Sequence, residues 1–367
     1  MNINVEYKKD GVSYPIFFES VKGKVVTVFC DVNTAPFAKD LIVELEKFAE
    51  KVNFLEFPYE ELIPDENVVD TVIENCKGAD YALAVGSGSL NDVCKFVGTK
   101  LNIGCGCLAT AASMDGYLSK GSALMEKGFK VTENVKTPND ILVDLEIIRN
   151  APRIMTAAGF GDIIGKFTCI ADWQLANIVK GEEINQEAFD LMLKARTACV
   201  ESFNDLVEYK PEAVAKLMDA LITAGTSMAI CGNSRPASGS EHHQSHFLEM
   251  DFVRRGEKIP AHGIKVAIGT LVSLELYNYL KDNKVEFNGA EKVYEIVENL
   301  PKIDSVKYML EKMGCPTKFG EIGVREEVML DMIKNAYTVR DRYTILTLIN
   351  ELGLTEQITP IIMAKYF

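Results

Sequence analysis

The chain has 367 residues, 47% hydrophobic and 25% charged, an ordinary globular composition with room for two domains or one large one. A formal net charge of −14 disfavours nucleic acid or an anionic membrane as partner, so a negatively charged substrate needs a local basic site. Met1 to Lys9 is polar and charged, no apolar run reads as long enough to span a bilayer, and nine scattered cysteines point to reduced thiols in a cytoplasmic protein.

Residues 25–30 (VVTVFC) form a short β-branched run that reads as a buried strand. Asp31 stands at its end, placed either to accept hydrogen bonds from an adenosine ribose, favouring NAD over NADP, or to cap a turn. Residues 33–36 open a helix with apolar positions at Phe37, Leu41, Leu45 and Phe48. Residues 54–57 form a second strand and 66–76 a helix. Residues 81–85 form a third strand, which runs into GSGSLND at 86–92 and a helix through Val97. Residues 102–108 form a strand in which Cys105 and Cys107 read as small buried residues. Residues 140–144 form the last. Strands alternating with helices imply a largely parallel sheet covered on both faces.

After Ala151 and Pro152 the helical period dominates, over 155–177, 187–206, 213–231, 264–280 and 343–352, with no convincing strand. The expected organisation is an α/β Rossmann-like domain at 1–150 followed by an all-α domain at 151–367. Gly239 and the turn at 254–260 break the helical half.

Glycines at Gly86 and Gly88, between a strand and a helix, let backbone approach a phosphate, which the free N–H groups of the helix N-terminus then bind. Asn91 occupies the place of the last glycine of the full dinucleotide fingerprint. In the small-residue stretch 110–117 (TAASMDGY), Asp115 is the group expected to orient a substrate hydroxyl. All four histidines fall between Ser240 and Gly263: His242, His243, His246 and His262. His242 and His246 share a helical face, and the turn at 254–260 lets His262 approach it. Imidazoles with one carboxylate make a normal set for a catalytic divalent ion. Asp162 is the first candidate for that carboxylate and Asp172 a weaker one.

The segments GSGSLND, TAASMDGY, AGFGDIIGK, NSRPASGSEHHQSH and HGIKVAIGT occur in one order across residues 85–270. The set closely resembles the sn-glycerol-1-phosphate dehydrogenases, especially their bacterial branch. That family belongs with glycerol dehydrogenase, the iron-containing alcohol dehydrogenases and dehydroquinate synthase. The resemblance implies a dehydroquinate synthase-like fold with the active site in an interdomain cleft. It implies that Asp162, His242 and His262 hold the divalent ion, zinc first with nickel or iron as alternatives. Gly86, Gly88, Ser89, Asn91 and Asp92 match the pyrophosphate loop for NAD or NADP, and Thr110, Ser113 and Asp115 match the strip beside the nicotinamide and substrate. His246 matches a histidine near the metal, read as a proton relay or a structural neighbour; His243 is expected to bind nothing. Ala109 and Ser87 depart from the family's usual Pro and Gly, which affects fine cofactor geometry.

The reaction implied is reversible hydride transfer between dihydroxyacetone phosphate and sn-glycerol 1-phosphate. Arg235 is the leading candidate for the substrate phosphate, with Lys166, also named as a catalytic group, second and Lys120 third. Rival readings are a glycerol or other polyol dehydrogenase, a dehydroquinate-synthase-like cyclase, and a non-catalytic metal-binding protein. The cyclase is disfavoured because Asp162 stands where that group usually has Glu. The expected partner is a small phosphorylated triose or polyol, with a homo-oligomeric assembly and neither nucleic acid nor membrane.

Overall fold

A computed structural model describes residues 3–8, 13–60, 62–127 and 129–367. The chain divides into two units, one of Met1–Ala112 with Gly116–Pro152, the other of Ser113–Asp115 with Arg153–Phe367.

Among the described residues, the first unit carries all eight strands: β1 (Asn4–Tyr7), β2 (Val25–Asp31), β3 (Lys51–Phe57), β4 (Tyr81–Gly86), β5 (Gly104–Ala109), β6 (Gly121–Glu126), β7 (Phe129–Asn134) and β8 (Asp140–Val143). Its helices are α1 (Pro15–Ser20), α2 (Ala35–Leu45), α3 (Glu66–Asn75), α4 (Gly88–Leu101) and α5 (Leu145–Asn150). Six strands make one parallel sheet in the order β1-β8-β5-β4-β2-β3, and β6 pairs with β7 in an antiparallel hairpin. The central strands are buried on both faces, as continuous apolar runs such as ALAV in β4 require. Tyr81, Leu83 and Val85 pack with Val26, Val28 and Cys30 and with Phe17 and Phe18 of α1. Asp65 caps α3 by accepting the Val68 N–H, and Asp144 caps α5 by accepting the Glu146 N–H. Asn102 ends α4 in the left-handed region, so the strand expected from 102 begins at Gly104.

The alternating pattern located β2, β3, β4, β5 and β8 but not β1 or the hairpin. β1 is a four-residue edge strand with two polar residues of four, too short to show a period. In the hairpin, β6 (GSALME) opens on three small residues and β7 (FKVTEN) is mostly polar, so it reads as loop.

The second unit has helices α6 (Arg153–Ile164), α7 (Lys166–Lys180), α8 (Gln186–Glu201), α9 (Phe203–Val207), α10 (Pro211–Cys231), α11 (Ser240–Arg255), α12 (His262–Asp282), α13 (Ala290–Glu298), α14 (Ile303–Met313), α15 (Glu326–Asn335), α16 (Ile345–Glu351) and α17 (Thr355–Tyr366). The helix expected over 155–177 is interrupted at Gly165, where an added methyl group would lie 2.7 Å from Val266 of α12. Gly256 closes α11 in the left-handed region, the stop expected at the 254–260 turn. One expectation needs correction. The stretches Arg153–Lys180 and Pro211–Cys231 are long and apolar enough to cross a bilayer, but 83% and 61% of their apolar windows are buried inside the structure. They are core helices: the first stretch takes in α6 and α7, and the second is α10.

Candidate metal centre

Asp162 lies in the last turn of α6, His242 in the first turn of α11 and His262 opens α12. Each offers one ligand atom, and these atoms all lie within 4.8 Å of one another. Glycines make the approach possible. Gly161 and Gly263 adjoin two of the donors, and a methyl group on Gly161 would sit 2.5 Å from the Gly263 carbonyl oxygen. Gly269 likewise faces the backbone of Glu241, where an added methyl group would lie 2.9 Å from its carbonyl oxygen.

The donors are held in ligand-ready states. Glu241 Oε1 lies 2.8 Å from His242 Nδ1, which fixes the proton there and turns the Nε2 lone pair to Asp162 Oδ1, 3.6 Å away. Burial, then Lys166 and the neighbouring imidazoles, hold the His242 pKa well below its ordinary value, so the ring stays neutral. Glu241 is anchored by the Gly239 N–H and the Thr168 hydroxyl, and burial followed by the nearby Asp172 pushes its pKa up to about 7. His262 Nδ1 is 3.4 Å from both Ser245 Oγ and Glu249 Oε1, leaving Nε2 to donate. Asp162 is fully buried; its Oδ2 accepts the Asp115 N–H at 3.0 Å. Two imidazoles and one carboxylate suit zinc, nickel or iron alike.

Lys166, fully buried, donates to Asp162 Oδ1 at 2.8 Å and to the Ala237 carbonyl at 2.9 Å, and its Nζ touches Asp115 Oδ2 at 2.5 Å. Burial alone would lower its pKa, but Asp115 and Asp162 outweigh it and hold the ammonium charged. In return Asp115 is raised, by burial and then Asp162, against the pull of Lys166. With three partners in place, Lys166 has no donor left for a phosphate, which corrects that expectation.

His246 belongs to the same group of rings, its centroid 6.2 Å from that of His242 and 5.6 Å from that of His262. Its Nδ1 pairs with Glu249 Oε2 at 3.1 Å and its Nε2 with Arg340 Nη2 at 3.1 Å. Both nitrogens are therefore engaged, as suits a positioning group more than a proton relay. His243 is fully buried with no hydrogen-bond partner on either nitrogen. Asp172 is not with the histidines: its carboxylate accepts the Ser240 and Ile345 N–H groups, capping α11 and α16, and the Tyr277 hydroxyl.

Arg235 is also spoken for. Its Nε and Nη2 grip Glu182 at 2.8 and 3.1 Å, and Nη2 also donates to the carbonyls of Asp172 and Tyr343. Only Nη1 lacks a partner. Lys120 lies in the first unit, just before β6. Glu241, Glu249 and Arg340 escaped the sequence reading. The two glutamates were visible as neighbours of histidines, at one and three residues; nothing local marks Arg340.

In the first unit the glycine loop sits at the carboxyl end of β4, and α4 begins at Gly88 with no side chain capping it. β2 and β4 are adjacent although β3 intervenes in the chain, so the sheet reverses direction here, where open α/β sheets bind ligands. The Thr110 N–H donates to the Gly86 carbonyl, which brings Thr110 beside the loop. Asp31 ends β2, where its Oδ1 accepts the Asn33 and Thr34 N–H groups. Two loop residues face inward instead. Asn91 is fully buried with its amide near the Gly116 and Tyr117 carbonyls. Asp92 pairs with Lys95 at 2.8 Å and accepts the Ala123 N–H of the hairpin, so its expected contact with a cofactor is replaced by a structural one. Ser89 lies in the first turn of α4, and Ser113 is buried in the second unit with Asp115.

A family model described as iron-containing alcohol dehydrogenase matches residues 12–152. The chain is 34% identical over 345 residues to the glycerol-1-phosphate dehydrogenase (NAD(P)+) of Bacillus licheniformis, covering 93% of this chain and 86% of that one. It is 32% identical over 335 residues to the enzyme of the same name from Bacillus subtilis, covering 89% and 85%. Among solved structures, the glycerol dehydrogenase of Schizosaccharomyces pombe shares the fold with a TM-score of 0.68 at 16% identity, over 95% of this chain and 87% of that one. Similarity of this extent to proteins of one name, together with the donor trio, places the chain in the glycerol-1-phosphate dehydrogenase family.

Proposed function

We propose that the chain is an NAD(P)-dependent oxidoreductase that interconverts dihydroxyacetone phosphate and sn-glycerol 1-phosphate by reversible hydride transfer at a divalent metal site. The observation that carries the site assignment is the meeting of Asp162, His242 and His262 within 4.8 Å from three separate helices. When bound, the ion supplies Lewis acidity toward the C2 oxygen, and the nicotinamide supplies or takes the hydride.

The chain's own groups prepare that chemistry. Glu241 and Glu249 orient the two imidazoles, and burial keeps His242 unprotonated. Lys166 bridges Asp162 and Asp115, and the Asp115 N–H fixes the second Asp162 oxygen. Asp115, buried at the centre, is the group we assign to orienting the substrate's hydroxyl. Gly86, Gly88 and Ser89 present the α4 N-terminus to the cofactor pyrophosphate, with Thr110 and Ser113 along the nicotinamide, and Asp31 closes the adenosine end. Nine free thiols are consistent with a reducing compartment, and we place the reaction in the cytoplasm. We assign zinc to the site and, as for many enzymes of this size, a homo-oligomeric assembly.

The test is NADH and NADPH oxidation with dihydroxyacetone phosphate, before chelation, after it and after adding back zinc, nickel or iron. Turnover that disappears on chelation and returns with an ion supports the reading. Faster turnover of unphosphorylated dihydroxyacetone overturns the substrate assignment, and turnover indifferent to chelation overturns the metal.

A further inference from the structure

We propose that Arg340 and Arg342, meeting over Ser234, form the seat for the substrate's phosphate group. This rests on the reading of the substrate as a phosphorylated ketone and replaces Arg235 as its principal recognition group. Arg340 Nη1 and Arg342 Nη2 both donate to Ser234 Oγ, at 3.1 and 3.2 Å. Arg342 Nη1 donates to the Ser238 carbonyl at 2.6 Å, and Arg340 Nη2 reaches His246 Nε2. Two guanidiniums thus converge on one hydroxyl.

They are not neutralised. Arg235, Arg255 and Arg325 each grip a carboxylate, whereas among the described residues neither Arg340 nor Arg342 pairs with one. Burial, then Arg235 and Arg340, depress Arg342 to about 10, and burial also depresses Arg340, which only Glu249 offsets. Glu249 and Glu182 act on the two only from a distance, and a phosphate dianion meets both forks directly.

Unused polar atoms surround the same place. Ser238 Oγ and Arg235 Nη1 are buried without a partner, Ser238 accepting Arg342 through its carbonyl and Arg235 donating to the carbonyl of Tyr343, the residue next to Arg342. Native proteins leave few such atoms unsatisfied, and an anion seated between the arginines would give both a partner. The position also suits the substrate. Arg340 touches His246, whose ring adjoins both histidine donors. A phosphate ester one methylene from a ketone carbon therefore has its anion beside the arginines when its oxygen is at the donor trio. Arg235, clamped by Glu182, is the back wall of the seat.

The test uses the metal-loaded full chain and the variants Arg342→Ala, Arg342→Lys and Arg340→Ala, with exposed Arg149→Ala as control. Inorganic phosphate binding is measured by calorimetry, and kcat/KM is measured for dihydroxyacetone phosphate and for dihydroxyacetone. Loss of one charge-assisted fork predicts phosphate affinity weaker by about 10- to 100-fold, and an equal fall in the preference for the phosphorylated ketone. Arg342→Lys, which keeps the charge and the fold but not the fork, should fall between. Affinity and preference within about twofold of the parent in every variant overturn the seat. If the parent shows no preference for the phosphorylated ketone, the substrate reading fails. Phosphate binding then decides the seat by itself: lost in the Arg342 variants it stands, retained it falls.

Discussion

Gly161 and Gly263 are in backbone contact, and each adjoins a metal donor: Asp162 follows the first and His262 precedes the second. A methyl group on Gly263 would overlap the Ala158 carbonyl of α6. Close approach of α6 and α12 is therefore what brings a carboxylate and an imidazole to one point. Gly263→Ala should cost about 3 kcal/mol or more, because a backbone carbonyl cannot rotate away as a side chain would. Denaturant unfolding and elemental analysis of the purified variant measure this. A variant as stable as the parent, with a full complement of metal, would show that the contact is not needed.

Asp162 and Asp172 are both buried carboxylates of the second unit, and we assign the first to the metal and the second to helix capping. Asp162→Asn should lower bound metal from about one ion per chain to near none, with kcat falling by roughly a thousandfold. Asp172→Ala should instead retain the ion and lose about 3 kcal/mol of stability, since two helix caps and the Tyr277 bond go together. Metal loss on changing Asp172 with stability intact would reverse the assignment.

Arg235→Ala removes two bonds to Glu182 and two to backbone carbonyls. Glu182 is partly exposed, so the expected cost is about 2 kcal/mol, read as a lower urea midpoint. Its effect on the preference for a phosphorylated substrate should be smaller than that of Arg342→Ala. A larger effect, at unchanged stability, would return Arg235 to the leading role.

Eight of the nine thiols are buried, and Cys231 is the exception. Burial raises Cys76 to about 11 and Cys30, Cys107, Cys199 and Cys315 to about 12, so at pH 8 they remain protonated and unreactive. Ellman titration of the native protein should count one thiol, and nine after denaturation. Three or more reacting within minutes would mean that the core opens easily.

Much of the site could be read from the chain because its signals are local. The glycine loop lies between a strand and a helix, His242 and His246 are one turn apart, and Asp162 stands beside glycines. What could not be read depends on contacts made far along the sequence. Asp172 looks like a ligand until its bonds to Ser240 and Ile345 are seen. Asp92 looks like part of a phosphate loop until Lys95 and Ala123 take its oxygens. Arg235 stands among the motifs, yet Glu182 claims it, while Arg340 and Arg342 follow a short helical turn with no motif at all. Charge type is visible in a sequence; which charges neutralise one another is not.

The donor trio draws on α6, α11 and α12, three passes of the chain that nothing covalent joins. An ion seated there stitches them together as a disulfide would, closing long loops in a protein whose thiols are all free. At a thousandfold excess over its dissociation constant such an ion adds about 4 kcal/mol to the folded state. The temperature at which this chain unfolds then becomes a gauge of the free metal around it.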